Sequence, residues 1–409
     1  MTKKIFCAGL SQTHPESRLC AKAIRLTSVL LLFLALETLP SWAQLQPQSA
    51  GSTPSPEPAI PAIVAAFDQY QVVAMPDGHG MKDVDDFILS LIRTPAFSEK
   101  VNDIAVECGN SLYQPLLDRY IAGEDVPFTE VRKVWRNTTQ PMCDLSGFFA
   151  QIFPLVRAIN QKLPVGKRLR VLAGDPPIDW DQVKTSQDRS KFVSMREDTI
   201  ASVMEKEVLS KHRKALMLFG TFHLMHGVGI SPVSMYEKRY PGLTFVISDL
   251  GAFDTDQPTL FSSPFAAWPI PSLARAKGTW LGALDLGHFL PQQFSIDKDC
   301  NARVAEFPKE FQKPMEELVD AFLYLGPTGL GLSEETPAYI ALDVDYISEH
   351  LRRGALAGYP GIEGTIKDFN QRILDTAAHP LFVVPKTIDL KPIVQQCLDR
   401  KSHSSPPNK

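Results

Sequence analysis

The stretch KALMLFGTFHLMHG, residues Lys214 to Gly227, indicates the fold of this chain. Its apolar run, Ala215 to Phe219, is long enough to predict a buried strand, which Gly220 ends. Two histidines, His223 and His226, follow that glycine closely. Ligands of an open α/β sheet bind beyond the carboxyl ends of its strands, so these imidazoles are placed for chemistry. A single histidine there is more often a core residue bonded to a backbone carbonyl, since neutral imidazole can be buried at little cost.

The same arrangement recurs along the chain, because other apolar runs also end in ionisable residues. We predict further strands at Gln71–Met75, Asp103–Val106, Arg168–Ala173 and Leu243–Ser248, with short ones at Tyr339–Leu342 and Leu381–Val384. Beyond the first five strand ends lie Asp77, His79, Glu107, Asp175, His223, His226 and Asp249. Helical patterns separate the runs, and one of them spans Asp188–Leu209. The sequence therefore predicts an α/β fold with a mixed, largely parallel central sheet flanked by helices and a site at the carboxyl ends of its strands.

The two ends of the chain differ in composition from its middle. Basic residues up to Arg25, the apolar run Leu26–Leu36 and a small-x-small site ending at Ala43 predict a signal peptide over 1–43. A disordered linker is predicted over 44–61 and a disordered tail over 401–409, because both are polar and rich in proline or serine. The globular domain then covers 62–400. We expect an exported protein, periplasmic or secreted, with no membrane span after signal cleavage.

Charge and motifs narrow the function classes. The formal net charge of −4 and the absence of a basic stripe argue against a nucleic-acid partner. No G-x-S-x-G elbow, P-loop or G-x-G-x-x-G after a strand is present, which disfavours serine hydrolases, nucleotide hydrolases and dehydrogenases. Four cysteines follow the leader, and sequence alone allows three pairings among them: Cys108, Cys143, Cys300 and Cys397. The Pro-, Ser- and Phe-rich segment Asp254–Lys277 is predicted as a lid or an insertion loop.

A crevice lined by histidines and carboxylates suits two kinds of chemistry. A histidine can act as general base when an acid orients it. The same groups can hold a divalent metal. On the residue alone, Glu107 is equally well a salt-bridged structural acid or a functional one, because a carboxylate ending a buried strand must be paired or solvated.

The motifs at these strand ends resemble those of the erythromycin esterase / ChaN-like / Tiki superfamily. The resemblance rests on motifs that occur in family order: His79-Gly80, Val106-Glu107, Gly174-Asp175, the helix pair Arg196-Glu197, and GTFH at Gly220–His223. It covers about half of the mature chain, from Gln71 to about Gly227. The first motif differs from the family's G-E-x-H-G, because Pro76 and Asp77 stand where Gly and Glu are usual.

The resemblance implies roles for individual residues. In the esterase branch a histidine activates water, which makes His79 the base, Glu107 its acidic partner and His223 the second histidine. Asp77 and Arg196 would complete the catalytic set, and Asp175, Glu197 and Asp249 would bind substrate. The Tiki branch implies a divalent metal for peptide hydrolysis, with His79, Glu107, His223 and His226 as its ligands.

Three hypotheses follow. The first is an exported hydrolase that activates water for a small-molecule or peptide substrate, with or without a divalent metal. The second, from ChaN-like members, is a haem- or iron-binding protein with an axial ligand at His226, His288 or Tyr113. The third is a catalytically inactive family member, which the altered first motif supports.

Overall fold

The strand predicted over Ala215–Phe219 is present at Ala215–Leu218 and lies inside a large sheet. The computed structural model describes residues 51–140, 142–250, 264–290, 293–297, 299–358, 365–382 and 389–404. The predicted signal peptide and the first residues of the predicted linker lie outside these ranges. The described residues belong to one compact unit that spans Ser49–Lys409.

Within the described part of the chain, eight strands form one sheet in the order β1-β7-β10-β6-β2-β5-β3-β4. The strands β8 and β9 form a separate antiparallel pair. The bounds are β1 (Glu57–Pro58), β2 (Val72–Met75), β3 (Asp103–Asn110), β4 (Arg170–Asp175), β5 (Ala215–Leu218), β6 (Thr244–Asp249), β7 (Ser272–Arg275), β8 (Gln293–Ile296), β9 (Ala302–Ala305) and β10 (Ala321–Tyr324).

Six of the eight strands, from β10 to β4 in the sheet order, run parallel to one another. Only β7 is antiparallel to the strands on either side of it. The predicted mixed, largely parallel sheet is therefore confirmed. Its consequence for function is direct, because the carboxyl ends of β4, β3, β5 and β2 lie next to one another along one edge.

Helices cover both faces of this sheet. They are α1 (Ala59–Ala66), α2 (Lys82–Arg93), α3 (Pro95–Lys100), α4 (Gln114–Ala122), α5 (Phe128–Val131), α6 (Lys133–Arg136), α7 (Gly147–Asn160), α8 (Ser186–Val193), α9 (Arg196–Val203), α10 (Pro232–Glu237), α11 (Met315–Leu318), α12 (Ala338–Ala341), α13 (Val344–Ala357), α14 (Ile366–Ala378) and α15 (Leu390–Ser404). None of the helices in the described ranges combines the length and the apolar character that crossing a membrane requires.

Two hydrophobic layers result from the alternation of side chains along each strand. In β2, Val73 and Met75 pack with apolar residues of α1, α2, α4 and α7 on one face. Val72 and Ala74 point to the other face, where α9 and α10 pack. A strand buried on both faces needs apolar residues at every position, which explains why these strands are unbroken apolar runs in the sequence.

Two predicted elements are wrong. The predicted strand Tyr339–Leu342 lies mainly in helix α12, which Pro337 precedes. An apolar run of four residues does not distinguish a strand from a helix, and the helix prevails here. The predicted helix Asp188–Leu209 is broken into α8 and α9, and it continues as a π turn and a 3₁₀ turn. The break near Met195 starts a new helix at Arg196.

Four further predictions are corrected in part. The predicted linker over 44–61 contains β1 and the start of α1 among its described residues. Of the predicted lid Asp254–Lys277, residues 254–263 lie outside the described ranges, and β7 lies within the remainder. Residues 401–404 of the predicted tail continue α15. Leu381 makes only an isolated bridge, to Leu332, and 383 and 384 are outside the described residues.

Two disulfides settle the cysteine pairing that the sequence leaves open. Cys108 of β3 is bonded to Cys143, and Cys300 is bonded to Cys397 of α15. The first joins the strand that carries Glu107 to the 3₁₀ turn before α7. It therefore ties two walls of the strand-end region together.

A C-terminal strap, residues 331–334, is hydrogen-bonded to the turn that follows β2. The Lys82 N–H donates to the carbonyl of Leu332 at 2.9 Å, and the Glu334 N–H donates to the carbonyl of Gly80 at 2.7 Å. The strap thus reaches the strand ends from a part of the chain beyond the predicted family motifs.

Candidate active site

The turn after β2 has an unusual backbone. Gly78, His79 and Gly80 all have positive φ values, of 80°, 44° and 96°. The left-handed region costs a residue with a Cβ roughly 1–2 kcal/mol, so His79 is held there against its preference. Such strain concentrates at functional sites, and here it directs the imidazole toward the ends of β3 and β5.

His79 lies between two carboxylates. Its Nδ1 is 2.7 Å from Oδ1 of the buried Asp77, and its Nε2 is 3.7 Å from Oε2 of Glu107. The charge of Asp77 raises the pKa of His79 to about 10, against the effect of burial and with support from Glu107. The imidazole is therefore protonated at neutral pH. Although Asp77 stands where the family usually has a longer Glu, it reaches the ring.

Glu107 is the centre of the site and is fully enclosed. Its Oε2 accepts a hydrogen bond of 2.6 Å from the Gly220 N–H, and its Oε1 forms an ion pair with the guanidinium of Arg196. Burial opposes its charge, but hydrogen bonding to His223 and the charges of His223, His79 and Arg196 hold its pKa below the usual range. Glu107 is therefore an anion shared by three cationic side chains.

Arg196 reaches Glu107 because α9 begins at this residue. Its Nε also lies 3.5 Å from Oδ1 of Asp175 at the end of β4. Asp175 accepts two further hydrogen bonds of 2.6 Å, from the backbone N–H and the hydroxyl of Thr139. Burial raises the pKa of Asp175 to about 7 in spite of these bonds. The predicted substrate ligand Asp175 is thus 1% exposed and holds Thr139 and Arg196 in place.

His223 completes the network from the end of β5. Its Nδ1 is 2.7 Å from Oε2 of Glu197, and its Nε2 is 3.2 Å from Arg196 and 3.6 Å from Oε1 of Glu107. Neutral imidazole accepts a hydrogen bond from Arg196 at this nitrogen, whereas imidazolium faces Glu107 there. Burial disfavours the charged form, but hydrogen bonds to Glu107 and Glu197 raise the pKa of His223 to about 9.

Comparisons with known proteins give limited likenesses. No protein-family profile and no curated protein sequence matches the chain. Among solved structures, a Bacillus cereus protein is 10% identical, covers 66% of this chain and 94% of its own, and gives a TM-score of 0.40. A mutant of the erythromycin esterase EreC in its open conformation is 12% identical, covers 64% of this chain and 92% of its own, and gives a TM-score of 0.39.

A third solved structure, the type III effector HopBA1, is 15% identical over 50% of this chain and 89% of its own, with a TM-score of 0.32. At identities of 15% or below and TM-scores of 0.40 or below, these likenesses carry no argument about function.

Two predicted site residues lie apart from the His79 network. The ring nitrogens of His226, a predicted metal ligand, are each 3.0 Å from a carboxylate, of Glu237 and of Asp320. Its role as a metal or haem ligand stays a prediction. The predicted substrate ligand Asp249 lines a different cavity, of about 320 Å³, beside α2 and β10.

The other two proposed haem ligands are also engaged with their neighbours. Nδ1 of the exposed His288 is 3.1 Å from Asp285, and the hydroxyl of Tyr113 accepts a hydrogen bond from Asn137. Each has a local partner that fixes its side chain. Haem binding stays a prediction of the family resemblance.

The residues around His79 fit a divalent cation poorly. Asp77, His79 and Glu107 each offer a ligand atom, and these atoms lie within 4.8 Å of one another. However, Nδ1 of His79 faces Asp77, and both oxygens of Glu107 are bonded to Gly220 and Arg196. A dication at Glu107 would also be repelled by the guanidinium beside it. The metal therefore stays a prediction of the resemblance, and the geometry favours proton transfer by His79.

A cavity of about 170 Å³ opens beside His79, and the sequence analysis did not place most of its lining residues in the site. Besides Asp77, His79 and Gly80, the lining comes from the end of β3, the turn before α7, the start of α7, and the strap with the residues after it: Cys108, Met142, Cys143, Leu145, Ser146, Phe149, Glu334 and Thr336. Glu334 is the only carboxylate among these eight residues. No local motif marks Glu334, because it reaches the site only through the strap.

Gly220 lies directly beside both His79 and Glu107, which leaves no room there for a larger residue. We therefore expect Gly220→Ala to abolish the predicted activity. An added Cβ would lie 2.6 Å from Nε2 of His79 and 3.3 Å from Oε2 of Glu107, which forces the imidazole away. His79 is a partly exposed side chain that can move, so the fold should persist. The hydrolysis predicted from the sequence motifs should fall at least about 100-fold, while the unfolding transition stays near that of the wild type.

A Gly166→Ala variant is the matched control, because nothing lies within 4 Å of the Cβ added there. Kinetics and circular dichroism of both variants check the result. Wild-type turnover in Gly220→Ala would contradict a catalytic position for the His79 ring.

Proposed function

We propose that this protein is a hydrolase in which His79 transfers a proton between water and the substrate. The observation that carries the proposal is the strained imidazole of His79, which Asp77 orients at 2.7 Å toward Glu107 and the cavity. A histidine oriented by an acid at one nitrogen can use the other nitrogen for general acid–base catalysis. Esters and amides, including peptides, are the substrate classes that this chemistry serves.

The proton that His79 takes from water in the first step is returned to the leaving group in the second step. Neutral His79 accepts a proton from water as the water oxygen bonds to the substrate carbonyl carbon. The tetrahedral intermediate then collapses, the bond to the leaving oxygen or nitrogen breaks, and the His79 imidazolium returns the proton to that atom. The positive charge of His223 can stabilise the oxyanion, because charged donors held in place act most strongly where water is excluded.

Glu107 and Arg196 act as positioning residues in this proposal. Arg196 holds Oε1 of Glu107, while the Gly220 N–H holds Oε2. Neither oxygen remains free to take a proton from water. Glu107 instead holds the two histidines in place from the centre of the network.

We also propose that the protein is exported. Two disulfides support this, because such bonds persist in oxidising compartments and are rare in the cytosol. Attachment of residues 1–43 to a reporter tests it. Release of the reporter with cleavage after Ala43 is the expected outcome, and a reporter retained in the cytosol would contradict it.

The proposed role of His79 gives a defined pH dependence. Asp77 raises the pKa of His79 to about 10, so the neutral base becomes available only as the pH rises. We expect kcat/KM to increase about tenfold per pH unit through the neutral range. Asp77→Asn removes the main cause of the shift, which lowers the pKa and moves the rising limb to lower pH.

The measurement is the pH profile of p-nitrophenyl ester hydrolysis by wild type and Asp77→Asn. Asp179→Asn is the matched control, because Asp179 lies outside the His79 network and its carboxylate accepts a local hydrogen bond from the Asp181 N–H. Its rising limb should coincide with that of the wild type. A profile that stays in the same position in Asp77→Asn would show that another group is the base.

A panel of esters, lactones and peptides tests the proposed activity directly. Turnover of at least one class by the wild type is expected, together with its loss in Glu107→Gln and His79→Ala. Glu107→Gln keeps the shape of the side chain but removes the charge that three cations share. Full turnover in both variants would contradict the proposal.

A further inference from the structure

We propose that the cavity beside His79 is a subsite for a cationic organic group, such as a protonated alkylamine, of the substrate. The inference rests on the proposed hydrolase function, because only a hydrolase would bind this group as part of a substrate. Binding at the subsite can nevertheless be measured without turnover. It concerns Asp77 and Glu334, which line the cavity from different segments of the chain.

The first observation is a buried oxygen with no partner. Asp77 is 3% exposed, and its Oδ1 faces His79. Its Oδ2 has no hydrogen-bond partner among the residues that the structure describes. A buried carboxylate oxygen without a partner loses its solvation and gains nothing in return, so it favours a ligand that donates to it.

The second observation is the position of Glu334. Its Oε1 accepts hydrogen bonds from the Phe148 N–H at 2.6 Å and from the Ser146 hydroxyl at 2.9 Å, at the start of α7. These bonds hold the carboxyl group in the cavity wall. Burial raises the pKa of Glu334, and the negative charge of Asp77 contributes to this rise.

The third observation is the local excess of acidic groups. Asp85 lies behind the turn, is 4% exposed and has an unpartnered Oδ2. Burial and then the charges of Glu334 and Asp77 raise the pKa of Asp85 to about 9. Of the residues that line the cavity, His79 alone is basic, and it is already paired with Asp77. A ligand cation would favour the ionised forms of these carboxyl groups.

The rest of the wall favours an organic cation over a metal ion. Met142, Leu145 and Phe149 supply an apolar surface next to the Cys108–Cys143 disulfide. Hard metal ions require several oxygen ligands, whereas an alkylammonium group places its charge on carboxylates and its carbon atoms against apolar side chains. At about 170 Å³ the cavity admits one small group of this kind.

The test measures binding rather than catalysis. n-Butylammonium, n-butanol and butyrate are titrated into the full protein at fixed pH and ionic strength, and thermal unfolding and calorimetry report binding. Saturable stabilisation by butylammonium alone is expected. Glu334→Gln should weaken that binding at least about tenfold, and Glu334→Asp, which keeps the charge, by much less. Glu99→Gln on the surface of α3 is the control and should bind as wild type.

Several outcomes would overturn the subsite. They are equal binding of butanol or butyrate, no saturable binding of butylammonium, unchanged binding in Glu334→Gln, or stronger Glu334-dependent stabilisation by Mn²⁺ than by butylammonium. The ester and peptide panel with His79→Ala decides the hydrolase proposal separately. Binding of butylammonium without turnover of the panel would reject the hydrolase proposal and support the subsite. Turnover of the panel without binding of butylammonium would support the hydrolase proposal and reject the subsite.

Discussion

His79→Ala should lower kcat/KM for ester or peptide hydrolysis by about 100- to 10,000-fold, which is the usual contribution of a general acid–base residue. The variant removes the imidazole that Asp77 orients, while Asp77, Glu107 and Gly220 keep their backbone positions. Activity and unfolding midpoint are measured on the same preparations. Unchanged hydrolysis would remove His79 from the mechanism.

A matched pair of variants separates this loss from misfolding. His79→Gly also lacks the imidazole but tolerates the φ of 44° without strain, so it should be more stable than His79→Ala by about 1 kcal/mol. Both should be equally inactive. His288→Ala, at an exposed histidine, should keep wild-type activity. Recovery of activity in the glycine variant would indicate that the alanine variant had failed through its backbone.

Arg196→Met should be the most destabilising substitution in the site, at roughly 3–5 kcal/mol, because it leaves a buried charge without its partner. Glu107 is 2% exposed and relies on the guanidinium at Oε1, and Asp175 loses a cation 3.5 Å away. Methionine keeps much of the volume of arginine, so lost packing contributes little. Denaturant unfolding at neutral pH measures the change.

The double variant Arg196→Met/Glu107→Gln provides the decisive comparison. Since it removes both charges, it should be less destabilised than the sum of the two single variants. Arg93→Met, at the exposed end of α2, is the matched control and should stay within about 0.5 kcal/mol of the wild type. Strict additivity would show that Arg196 and Glu107 are not coupled.

Much of the fold is predictable because each parallel strand is buried on both faces. Its sequence is therefore a continuous run of apolar residues, which can be recognised without the structure. The residue after such a run then falls at the ligand-binding edge, which locates His79, Glu107, Asp175 and His223 without knowledge of the strand order. The sequence does not give that order. Only the structure shows that β3 lies between β4 and β5, and this arrangement brings Glu107 between Asp175 and Gly220.

The remaining features depend on contacts between distant parts of the chain. His223 and His226 follow the same strand and look equivalent in sequence, yet Glu237 and Asp320 hold only the second. Tertiary contacts bring Thr139 and Glu334 to the site, and the sequence around each residue does not predict these contacts. The break before Arg196 is equally hidden, because the apolar positions of Asp188–Leu209 suit an unbroken helix.

The strap has a consequence for the order in which the protein is made. The turn that carries His79 lies near the start of the domain, whereas the carbonyl of Leu332 that fixes Lys82 lies some 250 positions later. Domains assemble as their chains emerge, so the sheet edge from β2 to β5 can form while this turn still lacks its partner. The turn that carries His79 gains both of its hydrogen bonds to the strap only after residue 334 has been synthesised. A newly made chain therefore lacks these contacts until most of its length is available.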